Sequence, residues 1–358
     1  MKKYRFSLFL FTIILLHCTD SPHVSYGIKK FPNSLDPSFD LEFDESQISS
    51  QIYENLINLD NDCRTLIPGL AISWSISEDN LTYTFVLRKN VFFHDGTKLS
   101  SYSILSSFKW LHRKPKKSDI YKKIKRVDLI DSLTFQFVLK KPYSIFLHTL
   151  ASPESFQVIS EHAISKYDTL LGRHPVGTGP YELKKWINDD KIVLKRFKKY
   201  WGKQSKITEI LFKYFHNKFQ AEEALRDNII DILYAPSSYS LDRLKWTGHI
   251  DYKTFTPQSI LLIGFNNKVY PFNNKLVRKA ILQAIDIPKI VHNSSRGNAI
   301  VAKGPVPPNF FNYGQMKQDQ YNLDKAKSIL HQQGINNLDV NFDFPLVALT
   351  RIVRIEFL

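Results

Sequence analysis

The stretch HPVGTGPYELKKW, His174 to Trp186, decides how this chain is divided. Gly177 and Gly179 sit two apart and Pro180 follows at once, so the backbone turns sharply where bulkier residues resist turning. Tyr181, Glu182, Leu183 and Lys184 then alternate in character, which marks the start of a strand. Taken alone, the segment is a loop between two strands. Its neighbours give it more meaning.

Downstream, Tyr181 to Trp186 and Lys191 to Phe197 read as a hairpin turned at Asn188-Asp189-Asp190. Lys218 to Arg226 has helical character, and Ile229 to Leu233 is a short apolar strand. Ile260 to Asn266 reads as a strongly apolar strand. Asn273 or Asn274 caps a helix whose Leu276, Val277, Ala280, Ile281, Ala284 and Ile285 share one face. Asn322 opens a last helix with Asp324 in its first turn, Ala326, Ile329 and Leu330 inward, and Gly334 just past its end.

Upstream, Ser25 to Lys30 reads as a first strand, followed by the turn-rich Phe31-Pro32-Asn33-Ser34-Leu35-Asp36-Pro37. Glu42 to Leu59 is expected to be helical, with Ile48, Ile52, Leu56 and Leu59 on one side. Leu81 to Arg88 alternates, placing Tyr83, Phe85 and Leu87 on one face of a half-buried strand. Asp95-Gly96 marks a turn. Ser100 or Ser101 caps a helix carrying Ile104, Phe108 and Leu111 on one stripe. Val127 to Ile130 and Thr134 to Leu139 form a hairpin about Asp131-Ser132. Strands and helices are thus mixed throughout.

The beginning of the chain has a different character. Lys2, Lys3 and Arg5 precede an apolar run from Phe6 to Leu16, interrupted only by Ser7 and Thr12. At about 1.5 Å per residue this run is too short for a hydrocarbon core of about 30 Å, but it suits the core of an export signal. It ends in Leu15-Leu16-His17-Cys18, which resembles a lipoprotein signal with Cys18 as the lipid-bearing residue; His17 departs from the small residue usual there. The chain has only two cysteines, so lipidation of Cys18 leaves Cys63 single and precludes an intramolecular disulfide.

The formal charge is +15, much of it in Arg113 to Arg126 (RKPKKSDIYKKIKR) and Lys184 to Lys203. An export signal and the lack of any zinc-finger, RNA-binding or helix-turn-helix pattern argue against nucleic acid as a partner. The basic runs read instead as solvated faces, with an anionic membrane as their natural counterpart. Catalytic signatures are missing: there is no GxxxxGK[ST], HExxH or GxSxG. The Gly177-Thr178-Gly179 turn is no phosphate loop, because Pro180 removes an amide and a strand follows. The 11 histidines are scattered without metal-ligand spacing, and His94-Asp95 lies at a turn, where a structural role is expected. Neither metal nor cofactor is called for, and no enzyme activity.

Taken together and in order, the motifs resemble the family 5 extracellular solute-binding proteins, the oligopeptide- and dipeptide-binding proteins of ABC importers. The matching stretches begin with Asn33 to Pro37, Ile52-Tyr53-Glu54-Asn55-Leu56, Leu66 to Ala71, Ser73-Trp74, Tyr83 to Arg88 and Phe93 to Gly96. They continue with Val176 to Tyr181, Tyr200-Trp201-Gly202, Asp231-Ile232, Phe265-Asn266-Asn267, Val277 to Ala280, Ala284-Ile285-Asp286 and Tyr321 to Leu330. The resemblance implies an α/β, two-lobe periplasmic-binding-protein fold of type II with an extra inserted domain. On that plan residues 1–17 are the signal, 18–24 a tether, 25–40 and 170–257 the first lobe, 41–169 the inserted α+β domain and 258–358 part of the second lobe. The family members are longer, and Pro345 to Leu358 departs from their pattern, so the second lobe is expected to be incomplete.

The same resemblance implies a peptide ligand, probed by Leu35, Asp36 and Pro37 and by Phe265 and Asn266, with a membrane permease and its ATPase subunits as partners of a monomeric, lipid-anchored protein. Nickel, haem or another small solute is the alternative ligand within the family. A surface lipoprotein that does not transport is the alternative outside it.

Overall fold

The computed structural model describes residues 22–60, 65–113, 120–152, 155–234, 236, 238–253, 261–295, 299–304 and 320–338. The leader, Cys18, Cys63 and the basic residues 114–119 lie outside them. In chain order the first strands and helices are β1 (His23–Ile28), α1 (Phe43–Ile52), β2 (Ile57–Leu59), β3 (Leu66–Pro68), β4 (Ala71–Ile76) and β5 (Thr82–Leu87). Next come α2 (Ser101–His112), α3 (Ile120–Lys123), β6 (Ile124–Leu129), β7 (Thr134–Leu139), α4 (Phe146–Ala151) and α5 (Glu161–Tyr167). After a 3-10 helix over Asp168–Arg173 follow β8 (Tyr181–Ile187), β9 (Lys191–Arg196), β10 (Glu209–Tyr214), α6 (Lys218–Arg226) and β11 (Ile232–Leu233). The remaining helices are α7 (Ser238–Lys245), α8 (Lys275–Ala284), α9 (Ile287–Ser295) and α10 (Leu323–Gln332).

The chain forms two compact units, Met1–Ser237 and Ser238–Leu358. The first holds a five-stranded sheet in the order β11-β1-β10-β9-β8, a four-stranded sheet β4-β5-β7-β6 and the small β2-β3 pair. In the larger sheet β1 runs parallel to β10 and β11, while β8, β9 and β10 are antiparallel neighbours. One continuous apolar core serves both sheets, with Ile192, Leu194 and Phe212 from one and Phe85, Phe135 and Phe137 from the other. Phe85, Phe135, Phe137, Phe146 and Phe156 pack ring to ring, with centroids 5.2 to 5.9 Å apart and mostly edge-on, as the ring quadrupoles favour.

The alternation expected over 81–88 is realised, with Tyr83, Phe85 and Leu87 buried. The helix expected over 42–59 stops at Ile52: Tyr53 is extended, with φ −110° and ψ 153°. The cause lies in the turn at 177–179. Gly179 donates its N–H to the Ile52 carbonyl at 2.9 Å, taking one of the acceptors a helix leaves open at its end. A Cβ on Gly179 would stand 2.5 Å from the Gln51 carbonyl oxygen and 2.7 Å from that of Ile52, and one on Gly177 would collide with the Ile52 carbonyl. Beyond the helix, Asn55 bridges to Gln157 and Ile57–Leu59 becomes β2.

His94 braces the same turn. Its N–H donates to the Gly177 carbonyl at 3.0 Å, its Nδ1 accepts from the Gly177 N–H at 3.4 Å, and its Nε2 donates to the Gly179 carbonyl at 3.0 Å. This pattern requires the neutral ring, and burial lowers the His94 pKa from 6.5 to about 4. Close by, Glu54 accepts from the Tyr200 hydroxyl at 3.0 Å and from Trp201 Nε1 at 2.9 Å. Burial pushes its carboxyl above the ordinary range, and those hydrogen bonds together with the Arg88 charge pull the other way. The Arg88 guanidinium lies 4.2 Å over the Trp201 ring and donates from Nε to the Gly69 carbonyl.

The second unit is built on α8 and α10, whose Val277, Ala280, Ile281, Ala326 and Leu330 form its core. Asn274 and Asn322 cap these helices through their side chains. Leu276, expected inward, is 46% exposed. Residues 261–266 form no strand, and Leu261 is 96% exposed. An apolar run becomes a strand only where a neighbour takes up its backbone groups, and among the described residues none does.

Gly177→Ala should lower stability by about 2 kcal/mol, because the new methyl meets main chain rather than a yielding side chain. A reduced urea midpoint at unchanged slope would show it; an unchanged midpoint would refute the packing argument. His94 has a folded pKa of about 4 below an unfolded one near 6.5, so it favours the native state above about 6.5. That contribution is lost as pH falls towards 4, and amounts to about 3 kcal/mol across the window. Thermal melts of His94→Asn between pH 7 and 4 should show a shallower acid loss than the unaltered chain.

Candidate functional site

Because β1, β10 and β11 run parallel, their carboxyl ends open onto one edge of the five-stranded sheet. In open α/β sheets this is the edge outside which ligands bind. It is formed here by the loop 29–42, the start of α1, Tyr214 to Asn217 and Tyr234. Behind it, Asp231 accepts from both the N–H and the hydroxyl of Ser25, at 2.7 and 2.5 Å, locking β11 onto β1.

The loop is fastened by the first turn of α1. Asp44 accepts the N–H groups of Lys29 and Lys30, each at 2.9 Å. Glu45 accepts from Asn33 N–H at 3.3 Å and Glu42 N–H at 3.0 Å, and Lys30 pairs with Glu42. The acidic residues that favour a helix N-terminus are thus spent on the protein's own backbone, which leaves the start of α1 unsuited to an anionic ligand. The apolar part of the edge is presented outward. Phe43 and Tyr234 stack with centroids 4.3 Å apart and planes 21° from parallel, while Phe43 is 47% and Phe39 45% exposed. Beneath them the Tyr26 hydroxyl is raised to about 12 by burial, with the negative charge of Asp44 and then Tyr234 adding to it; it stays a neutral donor.

Such an edge offers an aromatic face beside a loop in which several backbone N–H groups are held by carboxylates. It suits capture of a partly apolar solute; nothing in it assembles a nucleophile and a base. Among the described residues no group of three or more His, Cys, Asp or Glu could hold a metal ion, and no helix is long and apolar enough to cross a membrane.

Of the residues expected to contact ligand, Leu35, Asp36 and Pro37 lie in the edge loop, and all three are buried. Leu35 is wholly enclosed and donates its N–H to the Gly172 carbonyl at 2.9 Å. Asp36 accepts from Trp110 Nε1 at 2.9 Å and from Ser38 N–H at 2.8 Å. Their side chains therefore shape the loop from within. Phe265 and Asn266 belong to the second unit. Phe265 packs at its core against Phe272, with centroids 5.7 Å apart, and Asn266 accepts from Lys268 N–H at 3.1 Å in a local turn. Sequence reading missed Phe43 and Tyr234. A usable signal existed for Phe43: five and nine residues before Ile48 and Ile52, it falls about 140° and 180° away from the buried stripe, an aromatic on the solvent side.

Comparison with known proteins identifies the family. Residues 65–351 match the family model described as bacterial extracellular solute-binding proteins, family 5. The glutathione-binding protein GsiB of Escherichia coli K12 is 30% identical over 309 residues, 85% of this chain and 60% of the relative. The chain thus spans about three fifths of the length of such relatives. Among solved structures, the periplasmic binding protein DppA of Helicobacter pylori, in complex with the peptide STSA, is 27% identical with a TM-score of 0.76, covering 88% of this chain and 66% of that one. NikA of Brucella suis, in complex with Fe(III)-EDTA, shares the fold at 23% identity and a TM-score of 0.80, over 87% of this chain and 64% of that one. The α/β periplasmic-binding-protein fold and the match over most of the sequence make this chain a member of the bacterial extracellular solute-binding proteins, family 5.

Proposed function

We propose that the chain is the peptide-binding component of an ABC importer, an exported protein tethered through a lipid on Cys18 that acts without catalysis. The observation that carries the reading is the stacked Phe43–Tyr234 pair, with Phe43 half-exposed, at the carboxyl edge of the parallel strands. A peptide offers amide planes and apolar side chains to such a face, and an aromatic contact there is worth about 1 kcal/mol beyond its buried area. The relatives that bind glutathione and the peptide STSA support a peptide ligand. On this reading the five-stranded sheet is the first lobe, the four-stranded sheet belongs to the inserted domain, and the chain from residue 258 contributes to the second lobe. The protein works as a monomer that hands its ligand to a membrane permease driven by ATPase subunits. The segment Leu35, Asp36 and Pro37 acts from behind the ligand, holding the shape of the loop that bears Phe39; Phe265 and Asn266 are its proposed counterparts in the second lobe.

Calorimetric titration of the full chain with glutathione and with mixed di- to tetrapeptides should give saturable binding by one peptide class. Tyr234→Ala should weaken it about tenfold, the scale of one lost aromatic contact. Failure of every peptide to bind would overturn the reading, and wild-type affinity in a Phe43→Ala/Tyr234→Ala double variant would move the site elsewhere. In cells, Cys18→Ala should shift the protein from the membrane to the soluble fraction; an unchanged distribution would remove the lipid tether.

A further inference from the structure

Two sets of lysines on the sheets of the first unit are treated differently by the structure. On the five-stranded sheet four of them are answered by carboxylates: Lys184 pairs with Glu209, Lys195 with Glu182, and Lys191 and Lys213 with Asp190. At one end of the four-stranded sheet Lys125, Lys140 and Lys141 are not, among the described residues. There β6 is the edge strand, and the N–H of Lys140 donates to the Lys123 carbonyl at 2.8 Å, so the residues on either side of that bond share one patch. Lys122, Lys125, Lys140 and Lys141 are exposed. Among the described residues no carboxylate pairs with Lys125, Lys140 or Lys141. The register breaks between Ile124 and Arg126, so Lys125 is the extra residue of a bulge, a device that re-aims a side chain at a sheet edge. Lys123 lies with its ammonium 4.5 Å from the Tyr143 ring centroid. Just beyond, Ile145 is 54% exposed at the start of α4.

We propose that the Lys122–Lys125 and Lys140–Lys141 patch is a docking surface for an anionic lipid bilayer, with Tyr143 and Ile145 resting at the headgroup level. The side-chain chemistry selects this partner. Arginine forks suit carboxylates or phosphates held in fixed geometry, whereas lysine is a point charge on a flexible stem. The five cations of this patch are all lysines, and the nearby Arg126 is tied to Asp128 at 2.8 Å. A fluid surface of phosphates asks for charge and reach rather than geometry, and an aromatic and an aliphatic side chain beside the charges complete an interfacial edge. Lysines on an edge strand also discourage strand pairing, but that role needs neither Lys140 nor Lys141, which lie beyond the end of β7. The docking surface does not depend on the identity of the ligand.

The test is co-sedimentation of the full chain with vesicles of phosphatidylcholine and of equimolar phosphatidylcholine and phosphatidylglycerol. Two charge-matched variants separate patch from net charge: Lys125→Glu/Lys140→Glu/Lys141→Glu in the patch, and Lys185→Glu/Lys198→Glu/Lys203→Glu on and beyond the β8–β9 hairpin. The apolar leader is common to all. Binding to the anionic vesicles should exceed binding to the neutral ones and weaken with added salt. The patch variant should lose tenfold or more in partitioning relative to the hairpin variant, since each lysine near such a surface contributes about 1 kcal/mol. Thermal melts matching the wild type, and a milder Lys→Gln patch variant with an intermediate loss, keep the readout separate from folding. Equal losses in the two Glu variants would mean that only net charge matters. Undiminished lipid binding by the patch variant, or loss of binding to solubilised permease alone, would assign the patch to a protein partner; either result overturns the proposal.

Discussion

A single hydrogen bond, from the Gly179 N–H to the Ile52 carbonyl at 2.9 Å, fixes more of the first unit than its modest energy implies. It forms only because Gly177 and Gly179 lack side chains and can press against the end of α1. Once formed it ends that helix, so Tyr53 turns inward and Glu54 is placed to receive Tyr200 and Trp201. The turn that closes on α1 also starts β8, and β8 begins the antiparallel half of the larger sheet. His94 arrives from the segment after β5 and bonds both glycine carbonyls, tying the smaller sheet to the same point. A buried, neutral imidazole serves here because it can donate on one side and accept on the other.

Holding the junction rigid leaves the edge of the parallel strands free to differ in chemistry. The loop after β1 is anchored at both ends, by Leu35 on Gly172 and by Asp44 on Lys29 and Lys30. Between these anchors several backbone N–H groups are held by carboxylates, and Phe39 and Phe43 stand among the exposed residues. The cost of ordering the loop is therefore met within the protein, and a ligand that settles on Phe43 and Tyr234 need not supply it. Pre-ordering of this kind lets a small apolar contact count towards affinity.

The sequence made the alternating strands legible, because Tyr83, Phe85 and Leu87 in β5, and Phe135, Phe137 and Leu139 in β7, share a face that only period two produces. It also narrowed the caps to Ser100 or Ser101, to Asn273 or Asn274 and to Asn322, where a short polar side chain precedes an apolar period; the structure uses Ser100, Asn274 and Asn322. It overran at α1, since Leu56 and Leu59 continue the helical spacing of Ile48 and Ile52; what stops the helix lies more than a hundred residues away. It overstated 261–266, because apolar content says nothing about whether a pairing strand is at hand; Ile260 lies outside the described residues. The candidate site was the least legible part. Leu35, Asp36 and Pro37, expected to meet ligand, lie buried in the edge loop, and their burial depends on Gly172 and Trp110, which no local pattern connects to them. The Phe43–Tyr234 stack joins residues 191 positions apart.

The motifs that reveal the family and the residues that would select a ligand are largely different sets, for a physical reason. Ile52 to Leu56, Leu66 to Ala71, Phe93 to Gly96, Val176 to Tyr181 and Tyr200 to Gly202 all meet at the junction. There Gly69, Gly177 and Gly179 admit carbonyl oxygens that any Cβ would exclude, and Glu54 and His94 use donors and acceptors in matched sets. Each position has one chemical solution, so these stretches carry a recognisable pattern. An exposed aromatic on a loop edge has many solutions, since any flat or apolar side chain of similar reach gives a contact. A sequence can therefore announce its scaffold through buried groups with matched partners, while an exposed aromatic edge looks locally like ordinary surface.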